Sequence, residues 1–122
     1  MERAAAALNE FLEGFASAYL PGTVPEDEQV PYITYSANFP EWSEKASNYI
    51  QVWDKGKSNT RIIRIADRIA AAIREHKKIQ LDGGYLILWP ESPLIQIQEE
   101  DDGDARYAYI NYSINAYNLP GV

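Results

Sequence analysis

The sequence contains no cysteine and a single histidine. Disulfide scaffolds, thiolate zinc sites and cysteine nucleophiles are therefore excluded, and life in a reducing cytosol is permitted. A metal centre would have to be built from carboxylates, a donor set that suits only hard cations. No apolar run approaches the roughly 20 residues that span a bilayer. The N-terminal stretch has apolar spacing but carries Glu10 and Glu13, with no basic region ahead of a continuous apolar core, so it does not read as a signal peptide. Positive charge is also scarce. The 11 Lys and Arg residues stand against 18 Asp and Glu, a net charge of −7, which argues against holding nucleic acid through bulk electrostatics.

What is present suffices for one domain over residues 1–122. Its 46% hydrophobic content can bury a real core. The chain is organised around residues 58–76, SNTRIIRIADRIAAAIREH. Ile62, Ala66, Ile69 and Ile73 recur at helical spacing, and Ile63, Ile65 and Ala70 widen the stripe. Ser58 or Asn59 can cap the amino end. Arg61, Arg64 and Arg68 lie three and four apart and project from one side. A second amphipathic helix is expected over residues 2–20, with Leu8, Phe11, Leu12, Phe15 and Tyr19 on one face and Pro21-Gly22 ending it.

Strand patterns fill the rest. PYITYSANF alternates, and so does SNYIQVWD, where Tyr49, Gln51 and Trp53 face one way and Ile50 and Val52 the other. KKIQL-DGG-YLILW reads as a hairpin turning at Asp82-Gly83-Gly84. Pro90 to Pro93 is expected to break the chain before a further strand, LIQIQEE, and RYAYINYSINAYN is a long aromatic last strand. Short links and hairpin turns predict an α+β fold: a mostly antiparallel β-sheet with two amphipathic helices packed on one face, plus a β-hairpin. Strands this long are adhesive at an exposed edge, so neighbouring subunits are expected to cover them.

No catalytic constellation emerges. His76 closes the central helix, where it complements the helix dipole. The acids of residues 99–104 superficially suggest calcium, but the glycine and the distal glutamate of an EF-hand loop are misplaced. Asp82-Gly83-Gly84 is no phosphate loop, since no Walker lysine follows it. No serine has a plausible base. A hydrolase built on two carboxylates would need two acids singled out by a cleft, and nothing singles out two. The reading is of a chain that is not an enzyme and uses no cofactor or metal. The aromatics suit a core and a protein-contact surface better than a base-stacking platform, because the residues around them are acidic or neutral.

Charge is distributed in blocks. Eight of the 11 basic residues fall within residues 55–78, with acidic groups on both flanks. One account is a solvated helix and a solvated hairpin tip. The other is contact between copies of the chain, in which Glu100, Asp101, Asp102 and Asp104 of an acidic hairpin meet Arg61, Arg64 and Arg68 of a neighbouring helix.

Taken together, PYITYS, SNYIQVWDKGKSNTRIIRIADRIAAAI, GGYLILWPES and the tyrosine-rich last strand resemble the tail terminator, or tail completion, proteins of long-tailed bacteriophages, of which the lambda tail terminator is a well-known member. The likeness lies in element order, length and residue character over nearly the whole chain. It implies an α+β subunit that assembles as a hexameric ring, caps the tail tube, ends its polymerisation and docks to the head connector. It also implies a virion location at the tail–head junction after synthesis in the host cytoplasm, no enzymatic activity and no membrane. A negatively charged lumen would let DNA pass without specific binding. Two other readings stand beside it: another neck or minor capsid component, or a small acidic protein-binding domain of a host.

Overall fold

Ala4, Leu8 and Leu12, spaced four apart, bury one stripe of the first helix, α1 (Glu2–Glu13), while Glu2, Glu10 and Glu13 stay in water. The same logic shapes α2 (Thr60–Arg74), which buries Ile62, Ile65, Ala66, Ile69, Ala70 and Ile73. The computed structural model describes residues 2–40, 44–100 and 104–117. Among them are six strands: β1 (Ser17–Tyr19), β2 (Tyr32–Tyr35), β3 (Ala46–Lys55), β4 (Lys78–Leu81), β5 (Gly84–Glu99) and β6 (Ala105–Tyr117). They form one sheet in the order β1-β2-β3-β6-β5-β4. Only β1 and β2 run parallel, and every other pair is antiparallel. The fold is α+β with a mixed, mostly antiparallel sheet.

The pleat sorts the strands. Ile33, Tyr35, Ile50, Val52, Leu86, Leu88, Ala108, Ile110, Tyr112 and Ile114 point inward and share one core cluster with Leu8, Leu12, Ile62, Ile69 and Ile73 of the helices. α2 packs on β3, β5 and β6. α1 touches β1 at one edge and β4 at the other, so the sheet curls around the helices and α1 bridges its two ends. At the β1 edge the helix also supplies hydrogen bonds. Asn9 Nδ2 donates to the Ala18 carbonyl at 3.2 Å, and the Ala18 N–H donates to Glu13 Oε1 at 3.0 Å. The β1 edge is thus hydrogen-bonded within the chain, and α1 packs beside β4 at the other end. The distal half of β5, past the end of β4, is not covered in this way.

Two expectations need correction. The first helix stops at Glu13, not at residue 20. Gly14 is a poor helix former, and the Gly14 and Phe15 N–H groups turn back to the Phe11 and Leu12 carbonyls. Tyr19 consequently lies on a strand, facing away from the core. The prolines at 90 and 93 do not break β5. The strand passes through with a register shift between Pro90 and Ile95. Leu88 N–H points outward to the Lys77 carbonyl, so the Pro90 nitrogen, two residues on, points outward where β4 has ended, and no ladder donor is lost. Asn59 stands at the N-cap of α2 but makes no side-chain cap bond, and it is Ser58 Oγ that accepts from the Thr60 N–H at 3.2 Å. Trp42 and residues 118–121, read from sequence as a link and a strand end, lie outside the described residues.

His76 does more than complement a dipole. It adopts a left-handed φ of 56° just past α2. Its N–H reaches the Ile73 carbonyl at 2.9 Å and the Lys77 N–H reaches Ala72 at 3.0 Å, a Schellman closure that satisfies two terminal carbonyls. Its ring then lies 4.4 Å from that of Trp89.

Tyr112 is fully buried and its hydroxyl has no hydrogen-bond partner among the described residues. Burial pushes its phenol well above the ordinary range, with Tyr35 adding to the effect, so the hydroxyl stays protonated and unpaired. Tyr112→Phe keeps the ring and removes the unpaired group. It is expected to raise stability by about 1 kcal/mol, read as a higher urea midpoint at unchanged slope.

Candidate functional site

The face of the sheet turned away from the core is built by the same alternation that fills the interior. Seven of the nine tyrosines, residues 19, 32, 49, 85, 107, 109 and 117, fall on it, while Tyr35 and Tyr112 point inward. Register aligns them across strands. Tyr32 pairs with Trp53 and Trp53 with Tyr107, with ring centroids 6.4 Å and 4.6 Å apart. Tyr19 meets Tyr32 edge-on at 6.5 Å, which carries the row onto β1. Tyr49 stacks on Tyr109 at 5.4 Å, and Tyr85 on Tyr117 at 5.0 Å. Offset and edge contacts of this kind fix the rings relative to one another.

Carboxamides and hydroxyls tie the rings down. Trp53 Nε1 donates to Thr34 Oγ1 at 2.9 Å, Thr34 Oγ1 donates to Gln51 Oε1 at 3.2 Å, and the Tyr107 hydroxyl donates to Gln98 at 2.8 Å. Desolvation, helped by Tyr49 and Tyr107, raises the pKa of Tyr109. Tyr19 is raised by the carboxylate of Glu28, which accepts its hydroxyl hydrogen bond. Both phenols are neutral donors at ordinary pH. Lysines reach over the other end of the face: Lys45 Nζ stands 4.3 Å from the Trp89 ring and Lys78 Nζ 4.0 Å from Tyr85. The result is a preorganised aromatic and carboxamide surface of half-buried rings.

The residues expected to mediate charged contacts are distributed differently from one another. Arg61 is engaged within the chain: its Nε donates to Asp54 Oδ2 at 2.9 Å and its Nη2 to Asp54 Oδ1. Arg64 and Arg68 are exposed on α2, Arg68 with its guanidinium 5.3 Å from the Phe15 ring. Glu100 and Asp104 are exposed at the base of the β5–β6 hairpin, while Asp101 and Asp102 lie outside the described residues. The Glu100 N–H bonds the Ala105 carbonyl at 2.8 Å, and the Asp104 carbonyl accepts from Gly56 N–H at 3.0 Å. The base of the hairpin therefore sits beside the turn that leads into α2, where the helix dipole favours negative charge.

Between hairpin and helix lies a cluster that the motif search passed over. Asp54 and Arg106 are opposed in the β3–β6 register, and both are buried. Arg106 Nη1 donates to Asn59 Oδ1 at 2.6 Å and lies 3.4 Å from Glu99 Oε1. The Arg61 hydrogen bonds, the Lys55 N–H and the nearby Arg106 charge hold the Asp54 carboxyl below the usual carboxylate range despite its burial. The signal was in the pleat, since Asp54 is in phase with Ile50 and Val52, and Arg106 with Ala108 and Ile110. A hydrogen-bonded, charged set of this kind anchors a helix to a sheet.

Among the described residues no group of three or more His, Asp or Glu is placed to hold a metal ion. No helix among them is long and apolar enough to cross a membrane. No protein-family model matches the chain, and no curated protein matches it.

Proposed function

We propose that the chain is a virion structural subunit of the tail-terminator type from a long-tailed bacteriophage or prophage. It works by assembling with copies of itself into a ring on the tail tube and docking to the head connector. The observation that carries the reading is the outer sheet face: an ordered aromatic surface across β1, β2, β3 and β6, on a chain whose helices fill the inner side. A surface with aromatic rings enriched and charge depleted is what protein contacts use. The segments that resemble the family fall on β2, on β3 with α2, on β5 and on β6. Copies joined by two unlike surfaces close into a ring when the rotation permits. The acid excess would line a lumen that repels phosphate and lets DNA through.

The test is the molar mass of the purified chain by light scattering at low and high salt. A hexamer supports the ring, whereas a stable dimer with no affinity for tail tube would favour the host binding domain. Charged contacts are probed with Arg64→Glu and Arg68→Glu together. Both side chains are exposed, so far-UV circular dichroism should be unchanged while the mass falls to that of one chain. Wild-type assembly should weaken as salt is raised. Arg61 is left out, because reversing it would set a carboxylate against Asp54 and disturb the fold. An undiminished mass in the double variant would make this helix face solvated surface only.

A further inference from the structure

β5 outruns the strand on its outer side. β4 pairs with it only from Gly84 to Ile87, whereas β6 accompanies it as far as Glu99. Residues 95–99, Ile-Gln-Ile-Gln-Glu, therefore have a ladder partner on one side alone among the described residues. The bonding phase shows which groups are left over. The Glu100 N–H reaches the Ala105 carbonyl at 2.8 Å, so the even-numbered residues of this stretch bond to β6. The N–H and C=O groups of Ile95, Ile97 and Glu99 point away from it, into the open edge. Proteins blunt such edges with Lys, Pro, a bulge or a cover. Here Pro93 and the register shift both precede Ile95, and the one charge within residues 95–99 is Glu99 at the far end. Ile97 is 38% exposed, although it pairs with the buried Ala108 on the core side of the sheet.

We infer that this edge pairs with the same edge of a second copy, antiparallel about a two-fold axis at Ile97, so that one sheet runs through both copies. The symmetry of the segment selects both occupant and register. With the axis at Ile97, the outward residues all face one another: Ile97 meets Ile97, and Ile95 meets Glu99. Each such pair exchanges both of its N–H···O=C bonds. On the core side the two Ile97 side chains cover each other, and on the outer side Gln96 meets Gln98, a carboxamide pair. Other registers are worse. An axis at Ile95 sets Ile97 against Pro93, which has no N–H to give, and an axis at Glu99 opposes two glutamates. Parallel pairing would run Glu99 and Glu100 of both copies side by side. The contact is isologous. It uses neither the arginines of α2 nor head-to-tail closure, so it goes beyond the ring and joins two rings or two free chains. Both copies are acidic, so added salt should strengthen this contact, the reverse of a contact through Arg64 and Arg68.

A chain without cysteine lets the register be read by cross-linking. Gln96 and Gln98 are both exposed. Facing each other across the axis, they form a non-hydrogen-bonded pair with Cα atoms about 4.5 Å apart, inside the roughly 4.4–6.8 Å that a disulfide spans. An equimolar mixture of Gln96→Cys and Gln98→Cys chains, mildly oxidised, should give a covalent dimer on non-reducing electrophoresis. It should form roughly ten-fold faster than in either variant alone, where like positions are out of register. Ile97→Pro removes an outward N–H and no bond to β6, so circular dichroism should be unchanged. Added to both cysteine variants, it should abolish the cross-link. If Ile97→Pro loses the native spectrum, Ile97→Lys takes its place. Equal rates in the mixture and in the separate variants, or a cross-link that survives the change at Ile97, would overturn the inference. An edge taken by a strand of another protein would give the same negative result. Light scattering separates the two readings: a hexamer without the mixed cross-link keeps the ring and removes the edge pair. A cross-linked dimer with no larger species keeps the edge pair and removes the ring.

Discussion

Asp54→Ala is expected to lower stability by about 2–3 kcal/mol, and the melting temperature by roughly 10 °C. The Arg61 side chain is 51% exposed and can return to water, which limits its share of the loss. The cost comes from losing the Asp54 hydrogen bonds to Arg61 and the Lys55 N–H together with the carboxylate that faces Arg106, which is only 5% exposed. Arg106 would keep Asn59 and its ion pair with Glu99, but its Nε has no acceptor among the described residues, so losing the nearby Asp54 charge leaves a buried cation less well compensated. Arg61→Ala is the control. It should cost about 1 kcal/mol, because Asp54 retains the Lys55 N–H and the Arg106 charge. The pH dependence has a definite sign. Asp54 has a folded pKa depressed below its unfolded value near 4, so its contribution is fully present above that value. It is lost as pH falls through the lower, folded pKa. The stability gap between wild type and Asp54→Ala should therefore be constant from neutral pH down to about 4 and narrow below it. Denaturant midpoints measured at stepped pH give the comparison, and a gap that widened in acid would contradict this role.

The parts of the fold that sequence made legible are those where one physical rule acted alone. The stripe from Ile62 to Ile73 has a single solution, a helix with its isoleucines buried. The alternation of Tyr107, Tyr109 and Tyr117 against Ile110, Tyr112 and Ile114 likewise puts the phenols of the first set on the outer face. What stayed hidden was decided by partners far along the chain. Ser17 to Tyr19 follows a helix in a pattern that could have continued it, and becomes a strand because β2 and Glu13 offer its backbone hydrogen bonds. Pro90 reads locally as a break, yet its missing N–H falls on the side where β4 has already ended. Arg61 looked like one of three equivalent surface arginines. Only the path of β3 brings Asp54 beneath it and turns a presumed contact residue into an internal one. The aromatic surface was half visible: the faces of individual strands could be read, but the continuous row depends on the order β1-β2-β3-β6, which no local pattern encodes.

Leu8→Ala should have the most consequential effect on solution behaviour. Leu8 is fully buried in the middle of α1, and removing its branched end leaves a cavity that costs about 3 kcal/mol. The position matters beyond the cavity, because α1 is the element that spans both ends of the curled sheet. Loosening it releases the Asn9 and Glu13 hydrogen bonds to Ala18 and uncovers the β4 edge at the same time. Two unpaired strand edges then become templates for other chains. Ile69→Ala provides the comparison. Ile69 is equally buried, but on α2, which lies over β3, β5 and β6 rather than at the sheet ends. The two variants should lose similar stability by urea titration, while only Leu8→Ala should gain β-rich, thioflavin-binding aggregates well below its melting temperature. Equal aggregation in both would mean that lost stability alone drives it. Aggregation confined to Leu8→Ala would identify α1 as the guard of the sheet edges, leaving the outer aromatic face and the distal half of β5 as the adhesive surfaces open to assembly.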